Sequence, residues 1–338
     1  MAGGLFELRR DDITGWWVAV VVDRGFDRSR FAVSARPVGT PGGCQNCDVA
    51  VGDGVFLRTL KPQAFTVAGS ERDRPREVRD EREPGLGLLG DVGSWATICA
   101  PRGHHDALSD EAEGTVIEML ARARDEIVRA ERSLGTDYLQ VVQNWGAQAG
   151  ARTNHLCIDL YDLPQIPHRL GEELGGSARY VIREGVCPYC RLVRDEVAQR
   201  ERLVFEDAAN VCFAPYASRS AFELSVVPRH HEADFGRATD AMLTGAAETL
   251  QKVLRLLRAL DGPPYHLVLH TAPLHERVDE TYHWHWEIHP RLRDIAGLEL
   301  GTGLPVNPVS PEEAVEELLR SDRGWIATGG REVAGTLS

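Results

Sequence analysis

Basic residues are outnumbered in this 338-residue chain: 38 Lys and Arg stand against 51 Asp and Glu, a formal net charge of −13. Without a basic surplus there is no chain-wide field to neutralise phosphates, which argues against nucleic acid as a partner. A local basic pocket for one small phosphate ligand stays compatible with that balance. Long apolar runs are also missing. The longest near the N-terminus is Trp16 to Val22, against the roughly 20 residues that a membrane-spanning helix needs. Met1 to Asp12 has no apolar stretch before a cleavage site, so no secretory signal is read. The expectation is a soluble cytoplasmic protein with no membrane partner. No Walker-type phosphate loop is present. Gly85-Leu-Gly-Leu-Leu-Gly90 has the spacing of a dinucleotide fingerprint, but a charged loop precedes it and no strand–helix–strand pattern surrounds it, so it is read as a loop.

What the chain does have is globular composition, with 43% hydrophobic and 26% charged residues, which excludes general disorder. At roughly 150 residues per domain its length suggests about two domains. It also has seven cysteines and twelve histidines. An odd cysteine count without a secretory signal suits thiols and metal ligands better than disulfides. Four of the cysteines form two Cys-x-x-Cys pairs, Cys44/Cys47 and Cys187/Cys190.

Those pairs open an internal repeat. In each half a Pro-x-x-His follows, Pro101 to His104 and Pro228 to His231. A long helical pattern comes next. The first runs from about Asp110 to Leu134, with Ser109 as a plausible N-cap and Val116, Leu120, Ala123 and Ile127 on one face. The second runs from about Asp240 to Leu260, with Leu243, Ala246, Leu250, Val253, Leu257 and Leu260 at alternating steps of three and four. A strand-like run beginning with Tyr succeeds each helix, Tyr138 to Gln143 and Tyr265 to His270. The unit ends with a His-x-(Cys or His) strand, His155-Leu156-Cys157 and His283-Trp284-His285, whose alternate residues share a face. The same features in the same order twice point to an α+β protein of two tandem domains, each an antiparallel sheet packed with a long helix. The expected boundaries are 1–167 and 186–338, with 168–185 as linker. Ser70 to Pro84 reads as an exposed loop.

Thiolate and imidazole in fours suit tetrahedral zinc. The first half offers Cys44, Cys47, His104 and His155 for a structural zinc. The second half offers two competing sets for a second metal. The repeat pairs Cys187 and Cys190 with His231 and His283. The alternative gathers His270, His283 and His285 around a carboxylate, and His283 does not easily serve both.

The sequence resembles the galactose-1-phosphate uridylyltransferase family, the tandem branch of the histidine-triad superfamily. The residues that carry the likeness are Glu7 to Val18, Cys44-x-x-Cys47, Asn144 to Gly150, His155 to Pro167, Tyr282 to Arg291 and Ala296 to Gly303. The resemblance implies exchange of a uridylyl group between UDP-glucose and galactose-1-phosphate, a nucleotide sugar and a sugar phosphate. It implies a homodimer, because family sites borrow residues across the subunit interface. It also implies a second-half metal, zinc or iron, held by His270, His283 and His285 with Glu173 from the linker.

The family's strand reads His-Pro-His-x-Gln, and its second histidine attacks the α-phosphorus; the glutamine contacts phosphoryl oxygens. This chain departs from it. His155 keeps the metal-ligand position, Cys157 stands at the nucleophile position and Asp159 at the glutamine. Arg152 replaces a phosphate-contacting serine, Asn144 matches the family asparagine, and Arg24 falls near a phosphate-binding arginine. The resulting expectation is a uridylyltransferase-like nucleotidylyltransferase that works through Cys157. The alternatives are a zinc-stapled nucleotide-binding protein without turnover, and a nucleotide hydrolase or phosphorylase that uses another nucleophile such as His285. Asp159 would oppose both a thiolate and a phosphate unless Arg152 or a metal neutralises it.

Overall fold

The computed structural model describes residues 6–21, 31, 33–38, 44, 46–47, 54–60, 93–104, 107–133 and 135–327, with side chains at 102–104, 259 and 321–327 excepted. Arg24, the Ser70–Pro84 segment and the Gly85–Gly90 motif lie outside them, as does the His104 side chain. The strands are β1 (Glu7–Arg10), β2 (Trp17–Val20), β3 (Phe56–Leu60), β4 (Ser94–His104), β5 (Tyr138–Trp145), β6 (His155–Leu163), β7 (Leu203–Glu206), β8 (Asn210–Phe213), β9 (Leu224–Pro228), β10 (Tyr265–His270), β11 (His285–Pro290) and β12 (Val306–Asn307). The helices are α1 (Glu113–Ala130), α2 (His168–Glu184), α3 (Pro188–Gln199), α4 (Asp240–Leu257), α5 (Gly297–Thr302) and α6 (Pro311–Ala327). No helix among the described residues is long and apolar enough to cross a membrane.

Nine strands form one sheet in the order β3-β4-β6-β5-β10-β11-β9-β8-β7. Every pairing within it is antiparallel. The repeats therefore meet edge to edge, at the β5–β10 seam, where Val142 lies opposite Val268 and Asn144 opposite His266. Period-two alternation decides what each face carries. Ile98, Ala100, Leu139, Val141, Leu156, Ile158, Leu267, Leu269, Trp286 and Ile288 point into one core, where Val116, Leu120, Ala123 and Ile127 of α1 and Leu243, Leu250, Val253 and Leu257 of α4 meet them. Burying each such Leu or Ile contributes on the order of 2 kcal/mol relative to exposure. The intervening positions, including Cys99, Cys157, Asp159, Asn144, His266, His270, His285 and Glu287, fall on the opposite face.

The helices begin where local hydrogen bonding allows. Helix α4 starts at Asp240, because the Thr239 hydroxyl accepts the Met242 N–H. Helix α1 starts later than the Ser109 cap suggests: Ala112 is the N-cap. The reason is a turn in front of it. The Asp110 N–H donates to Ala107 O at 2.8 Å, and the Ala112 N–H donates to the Glu111 carboxylate at 2.9 Å.

Residues 168–184, expected within the linker, form helix α2. The hairpin of β1 and β2 leaves the first half and pairs with β12 near the C-terminus, Val306 lying opposite Ala19. Arg9 Nη1 fastens it to Glu312 of α6 at 2.9 Å. Its turn rests on α2 at Gly176, where a Cβ would sit 1.8 Å from Ile13 O. Only glycine permits that approach.

Candidate active site and metal centres

In the first half the ligand atoms of Cys44, Cys47 and His155 lie within 4.8 Å of one another. Cys47 Sγ is 3.4 Å from His155 Nδ1. His155 Nε2 donates to Ala100 O at 2.6 Å, and a carbonyl only accepts, so Nδ1 is the nitrogen left for a metal. Burial pushes the Cys44 thiol up, but hydrogen bonds from Thr153 and from the main chain at Cys47 and Asn46 outweigh it, and its pKa is lowered. Strand pairing puts position 104 opposite His155 in the backbone register. The donor set fits structural zinc.

The second half assembles a matching site. Ligand atoms of Cys187, Cys190, His231 and His283 lie within 4.8 Å of one another. Cys190 Sγ is 3.2 Å from His231 Nδ1 and 3.6 Å from His283 Nδ1. His231 Nε2 donates to Asp279 O at 2.6 Å, again leaving Nδ1 for a metal. A hydrogen bond from Cys187 and the nearby histidines bring Cys190 down to about 3, the state a metal-bound thiolate needs. The same hydrogen bond, with burial, raises Cys187.

Glu173, His270 and His285 form a separate buried group without His283. Alternation was expected to put His283 and His285 on one face. Strand β11 begins at His285, however, so His283 sits before the strand and turns to the cysteines. Both nitrogens of His270 are taken by carboxylates, Nδ1 by Glu173 at 2.9 Å and Nε2 by Glu287 at 3.2 Å. Arg169 also binds both acids, Glu173 at 3.2 Å and Glu287 at 2.5 Å. Arg219 adds a contact to Glu287 at 2.9 Å. Burial lowers His270, but the two carboxylates outweigh it and raise it to about 9. His285 is pushed down to about 4 by burial and by charged His270. A doubly donating imidazole offers no lone pair, and two guanidiniums already answer the acids. Held this way, the group offers an ion fewer free donors than the two Cys/His sets do. A solvent-open pocket reaches this group and is lined by Arg169, Glu173, Arg219, His285 and Glu287 rather than by Cys157.

Of the other expected residues, Arg152 and Asp159 pair beside β4, and Asn144 lies on β5 at the seam between the halves. Arg152 Nη2 binds Asp159 at 2.7 Å, and its guanidinium lies 3.9 Å over the Trp95 ring. Asp159 is thus neutralised by Arg152. Asn144 Oδ1 accepts from His266 Nδ1 at 2.7 Å across the seam, leaving the amide N–H groups for a ligand. Burial, with His289 and Arg291 nearby, pushes His266 down to about 4, so the imidazole is neutral. Asn46, between the two cysteines of the first pair, donates to Cys157 Sγ at 3.4 Å.

Cysteine counting favoured thiols, but Cys157 is joined to Cys99 in a disulfide across 58 residues. The two are direct neighbours in the β4–β6 register, which sequence spacing does not reveal. A sulfur bound this way cannot attack phosphorus, so a nucleophilic Cys157 requires the reduced form. Sequence reading also missed Arg169 and Glu287, although each carried a signal: Arg169 lies one helical turn before Glu173, and Glu287 lies two residues after His285 on one strand face. Cys99 and Trp95 carried none.

No family model matches the sequence. ADP-glucose phosphorylase of Arabidopsis thaliana is 27% identical over 334 residues, covering 92% of this chain and 91% of that one. Its crystal structure with bound ADP-glucose superposes with a TM-score of 0.71 at 25% identity, over 92% of this chain and 97% of that one. A uridylyltransferase structure superposes with a TM-score of 0.74 at 26% identity, over 94% and 98% of the two chains. This chain is similar over most of its length to ADP-glucose phosphorylase and to uridylyltransferases. The uridylyltransferase-like architecture holds over nearly the full chain, so its α+β fold and its relatedness to enzymes that act on nucleotide sugars rest on more than a motif.

Proposed function

We propose that the protein transfers the nucleotidyl group of a nucleotide sugar, ADP-glucose or UDP-glucose, to phosphate or to a sugar 1-phosphate at the sheet face around Cys157, Asp159, Arg152 and Asn144. The observation that carries this reading is end-to-end likeness to a protein named ADP-glucose phosphorylase. The reduced Cys157 sulfur attacks the α-phosphorus and expels the sugar 1-phosphate. The acceptor phosphate then attacks the same phosphorus, regenerates the sulfur and leaves as the nucleoside diphosphate or the new nucleotide sugar. The Asn46 amide, 3.4 Å from the sulfur, favours its anionic form. Asn144, oriented by His266, directs its N–H groups to a phosphoryl oxygen. Arg152 offsets Asp159 so that an anionic substrate is not repelled. Zinc in the two Cys/His sites would staple the fold and takes no part in the chemistry. The homodimer implied by the resemblance, and the cytoplasmic location expected from the sequence, belong to this proposal.

Reduced protein incubated with either nucleotide sugar and phosphate or galactose-1-phosphate is expected to release sugar 1-phosphate, and an intact-mass adduct is expected to vanish in Cys157→Ala. Neither product nor adduct with either donor would reject the reading. The Cys99–Cys157 disulfide favours a second reading, a zinc-stapled nucleotide-binding protein without turnover. Calorimetric binding of either nucleotide sugar to fully reduced protein that yields no product would establish it.

A further inference from the structure

Cys99 and Cys157 face each other across β4 and β6, with Cα atoms 4.2 Å apart. The other described cysteines have different surroundings: Cys44, Cys47, Cys187 and Cys190 gather with histidines, and Cys212 is buried in the core. The two paired sulfurs differ in access. Cys99 is fully buried, whereas Cys157 is partly exposed, so a dissolved reagent meets Cys157 first. The Cys157 end is also held in place. Asn46 Nδ2 lies 3.4 Å from its sulfur, and Arg58 Nη1 donates to Asn46 Oδ1 at 2.9 Å. Asn46 in turn sits between the cysteines of the first metal set. One thiol is thus presented to solvent and a second, buried one lies beside it on the neighbouring strand, the arrangement of an attacking and a resolving cysteine.

We infer that Cys99 and Cys157 form a reversible thiol–disulfide couple that takes its oxidising equivalents from a low-molecular-weight disulfide. The Cys157 thiolate attacks one sulfur of RSSR and releases RS⁻, which leaves as RSH after taking a proton from water. Cys99, as thiolate, then attacks the Cys157 sulfur of the mixed disulfide and expels the second RS⁻. Two electrons pass from the cysteines to RSSR, and two RSH are produced. A reducing thiol runs the sequence backwards, entering at the exposed sulfur. The couple itself stands on the pairing and the access. That it switches nucleotidyl transfer rests on the proposed function, since the linked sulfur has no lone thiolate to offer phosphorus.

The test uses full-length zinc-loaded protein held in mixtures of oxidised and reduced glutathione, then blocked with maleimide and analysed as peptides. The expected result is a Cys99–Cys157 linked peptide at the oxidising end, two alkylated peptides at the reducing end, and interconversion between them. Cys99→Ser is expected to take up one glutathione at Cys157 instead of forming the link. A pair that stays linked in excess native-state dithiol, or stays alkylatable throughout, would overturn the couple. Transfer from ADP-glucose or UDP-glucose should fall at least about tenfold in the linked form and return on reduction. Equal rates in both forms would overturn the switch. Absence of turnover in both forms, with interconversion observed, would reject the proposed function while supporting the couple.

Discussion

His155 and His231, one from each half, are held in the same manner: each donates Nε2–H to a main-chain carbonyl at 2.6 Å, Ala100 O and Asp279 O respectively, and turns Nδ1 toward a cysteine sulfur. A preset tautomer of this kind is what a histidine ligand needs before the metal arrives. Both halves therefore present a Cys/His set that could hold a metal, while the sheet-face residues of the two halves differ.

Elemental analysis of protein prepared without chelator is expected to give about two zinc ions per chain. His231→Ala should remove one and leave the other, and Cys47→Ser should do the converse. Each should lower thermal stability substantially, since structural zinc contributes roughly 10–16 kcal/mol of apparent binding free energy at neutral pH. A metal-free preparation with an unchanged melting curve would dismiss both sites.

Arg152 and Asp159 neutralise each other over Trp95. Removing the acid frees the guanidinium for phosphate, so Asp159→Asn is expected to tighten nucleotide-sugar binding by roughly tenfold. Arg152→Ala leaves a nearly buried carboxylate uncompensated and should weaken binding by a similar factor or more. Calorimetry with ADP-glucose and UDP-glucose reads both. Affinities unchanged in both variants would place the ligand elsewhere on the sheet.

At Gly176 the space for a Cβ is already occupied by Ile13 O at 1.8 Å. Gly176→Ala must push the hairpin turn away from α2, at a cost of about 1–3 kcal/mol. The expected readout is a melting temperature several degrees lower with metal content unchanged. A shift of less than a degree would mean that the turn yields freely.

The His270–Glu173 pair predicts a pH window. His270 is raised from 6.5 to about 9, so its contribution is full below pH 6.5 and is lost as pH rises through 9. For Glu173, burial opposes ionisation, but charged His270 and Arg169 outweigh it and lower the group from 4.5 to about 2; its contribution is full above pH 4.5 and is lost as pH falls toward 2. The two shifts share the His270–Glu173 contact, while Glu287 also raises His270 and Arg169 also lowers Glu173. Stability from this pair should peak between pH 4.5 and 6.5 and decline toward pH 9. In His270→Gln the decline from neutral pH to pH 9 should flatten. An identical slope in both proteins would show that His270 is not the titrating group.

Much of this was legible beforehand because it is local. Steps of three and four placed the buried stripes of α1 and α4, and a period of two put Cys157 and Asp159 on one face of β6. The repeated order of Cys pair, helix and histidine strand announced two related halves. Ser109 misled as a helix cap because the competing turn at Ala107–Asp110 depends on hydrogen bonds that composition does not rank. His283 misled because alternation applies only inside a strand, and β11 starts two residues later.

Residue types and their near spacing established the candidate donors and the strand faces. Pairing across the chain was a different matter. That His283 joins the cysteines, that Cys99 stands beside Cys157, that Glu287 shares His270 with Glu173, and that the N-terminal hairpin closes on β12 all follow from strand order and register. Those depend on which surfaces the whole chain can bury together, a sum over many distant contacts that no short window of sequence contains.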